Sequence, residues 1–229
     1  MTNNKEAKQL QLPQAPRRPD WGWGRLPAEL RIKIFDLMLL DRPSCSSYVS
    51  VCSEWQPIFE QATFAYLTVD QNRMAEFRRI MSLQQRQQAV KHLWFCIEIQ
   101  DRDDSRVDCW KSMSHANVVI IEEAIRDLFN ILKTWKTPHG NITLHPVAYA
   151  PQDRFKRLSG PPPIQGLPYI GIVDLSKDFL VSLPEVPAVG GLVLCIYAPY
   201  VWKTATIQGL VNRFPKLREV HQELDNSTE

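Results

Sequence analysis

The hydrophobic and polar positions of the chain change their period several times, and each period predicts a different element. Between Pro27 and Leu40 large apolar residues recur at helical spacing, and the proline takes the first helical position, where its missing N–H costs nothing. At about 100° per residue the apolar side chains fall on two nearly opposite sides. Leu30, Ile34, Leu37 and Met38 form one side, and Ile32, Phe35 and Leu39 form the other. The pattern therefore predicts a helix that must be covered on both sides.

Two more short helices are predicted after this one. In the stretch SCSSYVSVCSEW, the i,i+4 spacing of Val51 and Trp55 predicts a second helix. Pro57 breaks that pattern and can open a third helix through Phe59 and Phe64. Three short helices in about 45 residues are too small to bury both sides of the first helix. The remaining apolar side of the first helix must be covered by another part of this chain or by another protein.

The rest of the chain alternates between strand and helix periods. Apolar residues at spacings of 4, 3, 4 and 3 from Ile121 to Trp135 predict a long amphipathic helix. Further helices are predicted at 74–81 and 204–214, and strands at 93–99, 142–149, 169–175, 189–197 and 217–222. Residues 101–113 and 158–168 are predicted to be surface loops. The segments SLPEVPAVGGLVL and RFPKLREVHQEL begin alike, 31 positions apart, which would fit a short leucine-rich-like solenoid.

The first part of this pattern resembles an F-box, the module through which substrate receptors dock onto Skp1 in Cullin–RING ubiquitin ligases. The resemblance rests on Leu26-Pro27, Glu29-Leu30 and Ile34-Phe35, followed by VSVCSEW and the tail PIFEQATFAYLTV, with Trp23 before the Leu-Pro pair. The serine-rich stretch 44–50 departs from many F-boxes, which carry paired leucines there. The downstream region resembles that of a large F-box family of filamentous fungi. The resemblance implies that Skp1 supplies the missing cover.

The resemblance also implies an organisation and a site. The fold class is α+β: a disordered lead at 1–20, a three-helix F-box domain at 21–69, and an α/β, leucine-rich-repeat-like domain for substrate recognition at 70–229. The residues expected to bind Skp1 are Trp23, Leu26, Pro27, Leu30, Ile34, Phe35, Val51 and Trp55. About half of them are expected to belong to the module's own core, since two apolar sides do not reveal which one faces outward.

The function expected from the resemblance is that of a substrate-receptor subunit, which binds Skp1, and through it Cullin, and recruits an unknown protein target. Two alternatives stay open. The chain could bind Skp1 without a ligase role, or it could be a stand-alone α/β protein with a chance match. Co-purification with Skp1 separates these alternatives.

Composition and charge narrow the choice of partners. No apolar run approaches the roughly 20 residues that cross a bilayer, so no membrane association is expected. A net charge of +2 gives no broad field for a phosphate backbone, so no nucleic acid is expected. The first twenty residues lack the apolar core of a signal peptide, which favours the cytoplasm, the nucleus or both.

No catalytic residue, metal site or cofactor is predicted. The five cysteines form no CxxC pair, and no glycine-rich phosphate loop is present. His92, Cys96, Cys109 and His115 are the most suggestive group of potential metal ligands. Their spacing does not match a standard zinc site, so the sequence favours an interpretation without metal.

Overall fold

A computed structural model describes residues 22–40, 45–100, 113–136, 140–151, 171–195 and 200–223 of the chain. The chain divides into two compact units, one ending at Leu40 and the other beginning at Asp41. The predicted lead at 1–20, the predicted loop at 158–168 and all but the last residue of the loop at 101–113 lie outside the described residues. None of the described helices is long and apolar enough to span a membrane.

The first unit contains a short 3-10 turn, Trp23–Arg25, and one long helix, α1 (Ala28–Leu40). The helix confirms the element predicted from Pro27 onward. The Pro27 carbonyl accepts hydrogen bonds from the backbone N–H groups of Leu30 and Arg31, both at 3.1 Å. The Trp23 ring meets the Phe35 ring edge-on, with centroids 5.1 Å apart. This contact ties the 3-10 turn to the middle of α1.

The second unit begins with two helices, α2 (Cys45–Tyr48) and α3 (Trp55–Ala65). The prediction of one helix carrying both Val51 and Trp55 is wrong, because Val51 lies in the turn between these helices and Trp55 is the first residue of α3. The Val51 N–H donates a hydrogen bond to the Tyr48 carbonyl at 3.2 Å, and this bond closes the turn. The third predicted helix therefore starts two residues before Pro57, which is tolerated in a first helical turn.

A five-stranded parallel sheet forms the centre of the second unit. Its strands lie side by side in chain order: β1 (Tyr66–Asp70), β2 (His92–Glu98), β3 (Ile142–Tyr149), β5 (Val189–Cys195) and β7 (Glu219–Glu223). A small parallel pair is formed by β4 (Gly171–Val173) and β6 (Tyr200–Trp202). The described helices of the crossovers are α4 (Met74–Ile80), α5 (Gln84–Ala89), α6 (His115–Leu132), α7 (Lys177–Ser182) and α8 (Thr204–Val211). The expected mixture of helices with a sheet is confirmed, and the sheet is parallel.

One face of the sheet carries most of the core. On β2 the residues Leu93, Phe95 and Ile97 are fully buried, while the residues between them are partly exposed. The helix α6 contributes the apolar stripe predicted from its spacing, which includes Ile121 and Leu128. Ser114 caps this helix by accepting a hydrogen bond from the Asn117 N–H at 3.3 Å.

The strand β1 was not predicted from the sequence. Its residues, YLTVD, belong to the stretch assigned to the end of the F-box domain, and the predicted boundary between residues 69 and 70 falls inside the strand. β1 pairs with β2 along its whole length, from Tyr66 opposite His92 to Asp70 opposite Cys96. Hydrogen bonding therefore joins these residues to the sheet.

Two glycines allow two backbone segments to approach each other closely where β3 and β5 begin. Gly140 has a φ of +59°, a conformation that favours glycine. A Cβ atom on Gly190 would lie 1.7 Å from the Gly140 carbonyl oxygen. Arg218 hydrogen-bonds to both glycines. Its side chain donates to the Gly140 carbonyl and its backbone N–H donates to the Gly190 carbonyl, each at 2.9 Å. The starts of three neighbouring strands are thereby fixed together.

Candidate docking surface

The helix α1 presents large apolar side chains to solvent. Leu30 is 47% exposed, Ile32 58%, Leu37 67% and Leu40 81%. Leu30 and Leu37 are seven residues apart, so they lie on one side of the helix about 10 Å apart. Lys33 falls between them on that side, and Ile32 lies toward the opposite edge. We call Leu30, Leu37 and Leu40 the α1 ledge.

The opposite part of α1 is less exposed. Phe35 is 7% exposed, and Ile34, Met38 and Leu39 are half-buried. The division does not follow the two sides that the sequence predicted. Each predicted side is split, because Leu37 is exposed where Ile34 is half-buried, and Ile32 is exposed where Phe35 is buried. Phe35 is the one buried residue of α1, and its ring packs against that of Trp23.

The eight residues predicted to bind Skp1 are distributed over both units and over three levels of exposure. In the first unit Pro27 and Leu30 are exposed, Trp23, Leu26 and Ile34 are half-buried, and Phe35 is buried. In the second unit Val51 is 56% exposed and Trp55 is half-buried. Of the eight, the structure brings Trp23 and Phe35 into ring contact. The exposed ones, Pro27, Leu30 and Val51, can contact a partner without any rearrangement.

Trp55 has a packing role that the sequence pattern did not show. Its ring lies 5.4 Å from that of Phe59 and 6.2 Å from that of Tyr48, and Tyr48 and Phe59 are 5.1 Å apart. Phe59 is fully buried. The three rings join α2 to α3 across the intervening turn. Trp55 therefore stabilises the second unit.

Three exposed residues of α1 were missing from the predicted set: Ile32, Leu37 and Leu40. Leu37 could have been predicted as a docking residue, because it follows Leu30 by two helical turns and was placed on the same side of the helix. The charged residues Glu29, Lys33 and Asp36 are exposed beside these apolar groups. Apolar residues within a charged border have the composition of a protein interface.

The group of potential metal ligands suggested by the sequence is not assembled. His92 and Cys96 lie on the same face of β2, His115 begins α6, and Cys109 is outside the described residues. Among the residues that the structure describes, no three His, Cys, Asp or Glu side chains are placed to hold a metal ion. The neighbour of His92 is instead His145 on β3, with Nδ1 of His92 3.3 Å from Nε2 of His145.

These two histidines belong to an aromatic cluster on the sheet face opposite the main core. The ring of Tyr66 stacks on His92 at 4.9 Å, and that of Trp94 stacks on His145 at 4.4 Å. Burial, and next the neighbouring His92, lower the pKa of His145 to about 4. The His145 ring is therefore neutral at physiological pH.

Comparison of the chain with protein families, with curated proteins and with solved structures finds no match.

Proposed function

We propose that the chain is a Skp1-binding substrate receptor of a Skp1–Cullin–F-box ubiquitin ligase. The observation that carries the proposal is the α1 ledge, which lies in the helix whose Leu-Pro, Glu-Leu and Ile-Phe pairs resemble an F-box. Three leucines at 47%, 67% and 81% exposure on one helix are costly to leave in water, since each side chain gains about 1.5–3 kcal/mol on full burial. A partner that covers them offsets this cost.

In this proposal the protein acts by proximity and contributes no catalysis of its own. Skp1 and Cullin hold the receptor near the ubiquitin-transfer machinery, and the α/β unit holds a protein target. Tethering both in one complex raises their effective concentration, which speeds transfer without any new chemical group. The proposal places the protein in the cytoplasm, the nucleus or both.

The proposal extends to the finer fold. Residues 21–69 would act with Skp1 as an F-box module, and residues 70–229 as a leucine-rich-repeat-like array for the target. The similar segments at Leu183-Pro184 and Phe214-Pro215 support the second part, because each lies between a helix and a strand of the sheet. Leu183 and Phe214 are both 3% exposed, and β5 and β7, which follow them, are parallel neighbours.

The test is co-purification of the full chain with Skp1 from cells that express both. Wild-type protein is expected to form a stable complex, and Leu30→Asp to lose it while keeping its circular dichroism spectrum and melting temperature. Val181→Asp is the matched control, because Val181 is 59% exposed on a helix outside the F-box pattern. Equal recovery of Skp1 with wild type and Leu30→Asp would refute the docking role of the ledge.

A second readout separates the open alternatives. Target turnover that depends on Cullin supports the receptor function. A stable Skp1 complex without Cullin-dependent turnover indicates a Skp1-binding protein without a ligase role. Failure of the wild-type chain to bind Skp1 indicates a stand-alone α/β protein.

A further inference from the structure

A groove lies between the helices α4 and α5 and the C-terminal end of α6, within the second unit. Its volume is about 440 Å³, which falls in the size range of ligand-binding pockets. The lining includes two exposed cationic side chains, those of Arg78 on α4 and of Lys136 beyond the end of α6. The floor is formed by the buried residues Met81, Ile131 and Trp135. The groove therefore combines an apolar floor with a cationic rim.

The two cations of the groove are not neutralised by the described part of the protein. On α4 the side chain of Arg73 pairs with Glu76 at 2.8 Å. Arg78 and Lys136, in contrast, make no ion pair among the described residues, and no aspartate or glutamate of that part of the chain lines the groove. The groove therefore carries a local positive charge that an anionic partner can offset.

The polar groups of the groove offer mainly hydrogen-bond donors. Two backbone carbonyls beside it already accept side-chain hydrogen bonds, since Gln87 donates to the Met81 carbonyl at 2.8 Å and Thr134 to the Ile131 carbonyl at 2.7 Å. The Oδ1 atom of Asn130 accepts from the lysine three residues later at 2.8 Å, so its amide N–H groups remain as donors. A ligand that fits these groups must bring acceptors.

We propose that this groove binds a carboxylate-rich segment of a protein partner, with the carboxylates contacting Arg78 and Lys136. Arginine binds a carboxylate through two parallel N–H···O bonds, and lysine contributes a point charge. Apolar side chains of the segment would cover the floor, which a small inorganic anion would leave uncovered. The inference rests on the proposed function in one respect, because it identifies the segment as the recognition motif of the target, whose chemistry that function leaves open.

The experiment measures, by fluorescence anisotropy, the binding of a labelled peptide in which Glu and Asp alternate with Leu to the purified full chain. The acidic peptide is expected to bind with an affinity that falls as salt is raised, since exposed charges are screened over about 10 Å at about 0.1 M salt. Arg78→Gln and Lys136→Gln are each expected to weaken binding about 2–5-fold, the effect of one exposed ion pair. The double variant should show the product, about 4–25-fold. Carbodiimide coupling of the bound peptide is expected to join a peptide carboxylate to Nζ of Lys136 as an amide.

The matched control variant is Lys177→Gln, which removes an exposed cation from α7, outside the groove, and is expected to leave the affinity unchanged. The control peptide carries Gln and Asn in place of Glu and Asp and is expected not to bind. No binding of the acidic peptide, equal binding of the neutral one, or equal weakening by Lys177→Gln would overturn the proposal. Tighter binding of inorganic phosphate than of the acidic peptide would also overturn it, because the site would then suit a small anion.

The assay contains no Skp1. Failure of the peptide to bind is therefore a separate result from failure of the chain to co-purify with Skp1, and each proposal can be refuted without the other.

Discussion

His145 illustrates how a position in a sheet sets the chemistry of one side chain. Burial and His92 lower its pKa from 6.5 to about 4. Because the pKa is lower in the folded chain, the unfolded chain binds more protons between these values. The free energy of unfolding therefore falls as the pH drops from about 6.5 toward 4.

We expect NMR titration of the protein to give a pKa of about 4 for His145. His145→Gln should remove the contribution of this group to the acid sensitivity of unfolding, measured by urea denaturation at pH 7 and pH 5. A His145 pKa near 6.5 in the wild-type protein would contradict the described environment.

Gly190 lies in a close backbone contact that a larger residue would disturb. Because a Cβ atom there would lie 1.7 Å from the Gly140 carbonyl oxygen, Gly190→Ala must displace the backbone. We expect a loss of about 3 kcal/mol in the free energy of unfolding, at the upper end of overpacking effects. Gly24→Ala is the control, since nothing lies within 4 Å of its added Cβ, and a change below about 0.5 kcal/mol is expected. Equal unfolding midpoints for both variants would show that the close approach is absent.

At the scale of elements, the amphipathic helix α6 makes the main helical contribution to the core. Leu128 is 1% exposed, and Leu128→Ala should lower the free energy of unfolding by about 2–5 kcal/mol. Leu83 is 52% exposed, and Leu83→Ala should change it by less than about 0.5 kcal/mol. Chemical denaturation of both variants tests this, and a Leu128→Ala loss as small as that of the control would contradict the packing.

Elements whose residues alternate regularly could be predicted from the sequence. α6 and β2 each bury one side against a continuous core, so their periods are regular, and both overlap the predicted elements, although α6 ends at Leu132, three residues before Trp135. The region 45–70 was harder, because the i,i+4 spacing of Val51 and Trp55 joins a turn residue to the first residue of α3 and does not belong to one helix. β1 was missed because its residues were assigned to the tail of the F-box pattern, PIFEQATFAYLTV.

The contact between His92 and His145 could not be predicted in the same way. The two residues are 53 positions apart, and their meeting depends on the register of β2 against β3. Register follows from the hydrophobic pattern of the whole sheet. No local spacing carries that information.

At the scale of the whole molecule, the chain separates a short unit ending at Leu40 from a larger α/β unit. The exposed leucines of the α1 ledge lie in the first unit, and the parallel sheet with its histidine pair lies in the second. In the proposed function the first unit and the start of the second, to residue 69, bind the adaptor, and residues 70–229 bind the target. The net charge of +2 gives neither unit a strong general attraction for polyanions.

In the proposed function Skp1 covers α1. Hydrogen–deuterium exchange of the full chain, measured alone and with purified Skp1, tests it most directly. We expect added protection over residues 26–40, with the β2 and β3 peptides unchanged. Unchanged exchange over residues 26–40 at saturating Skp1 would contradict a docking role of α1.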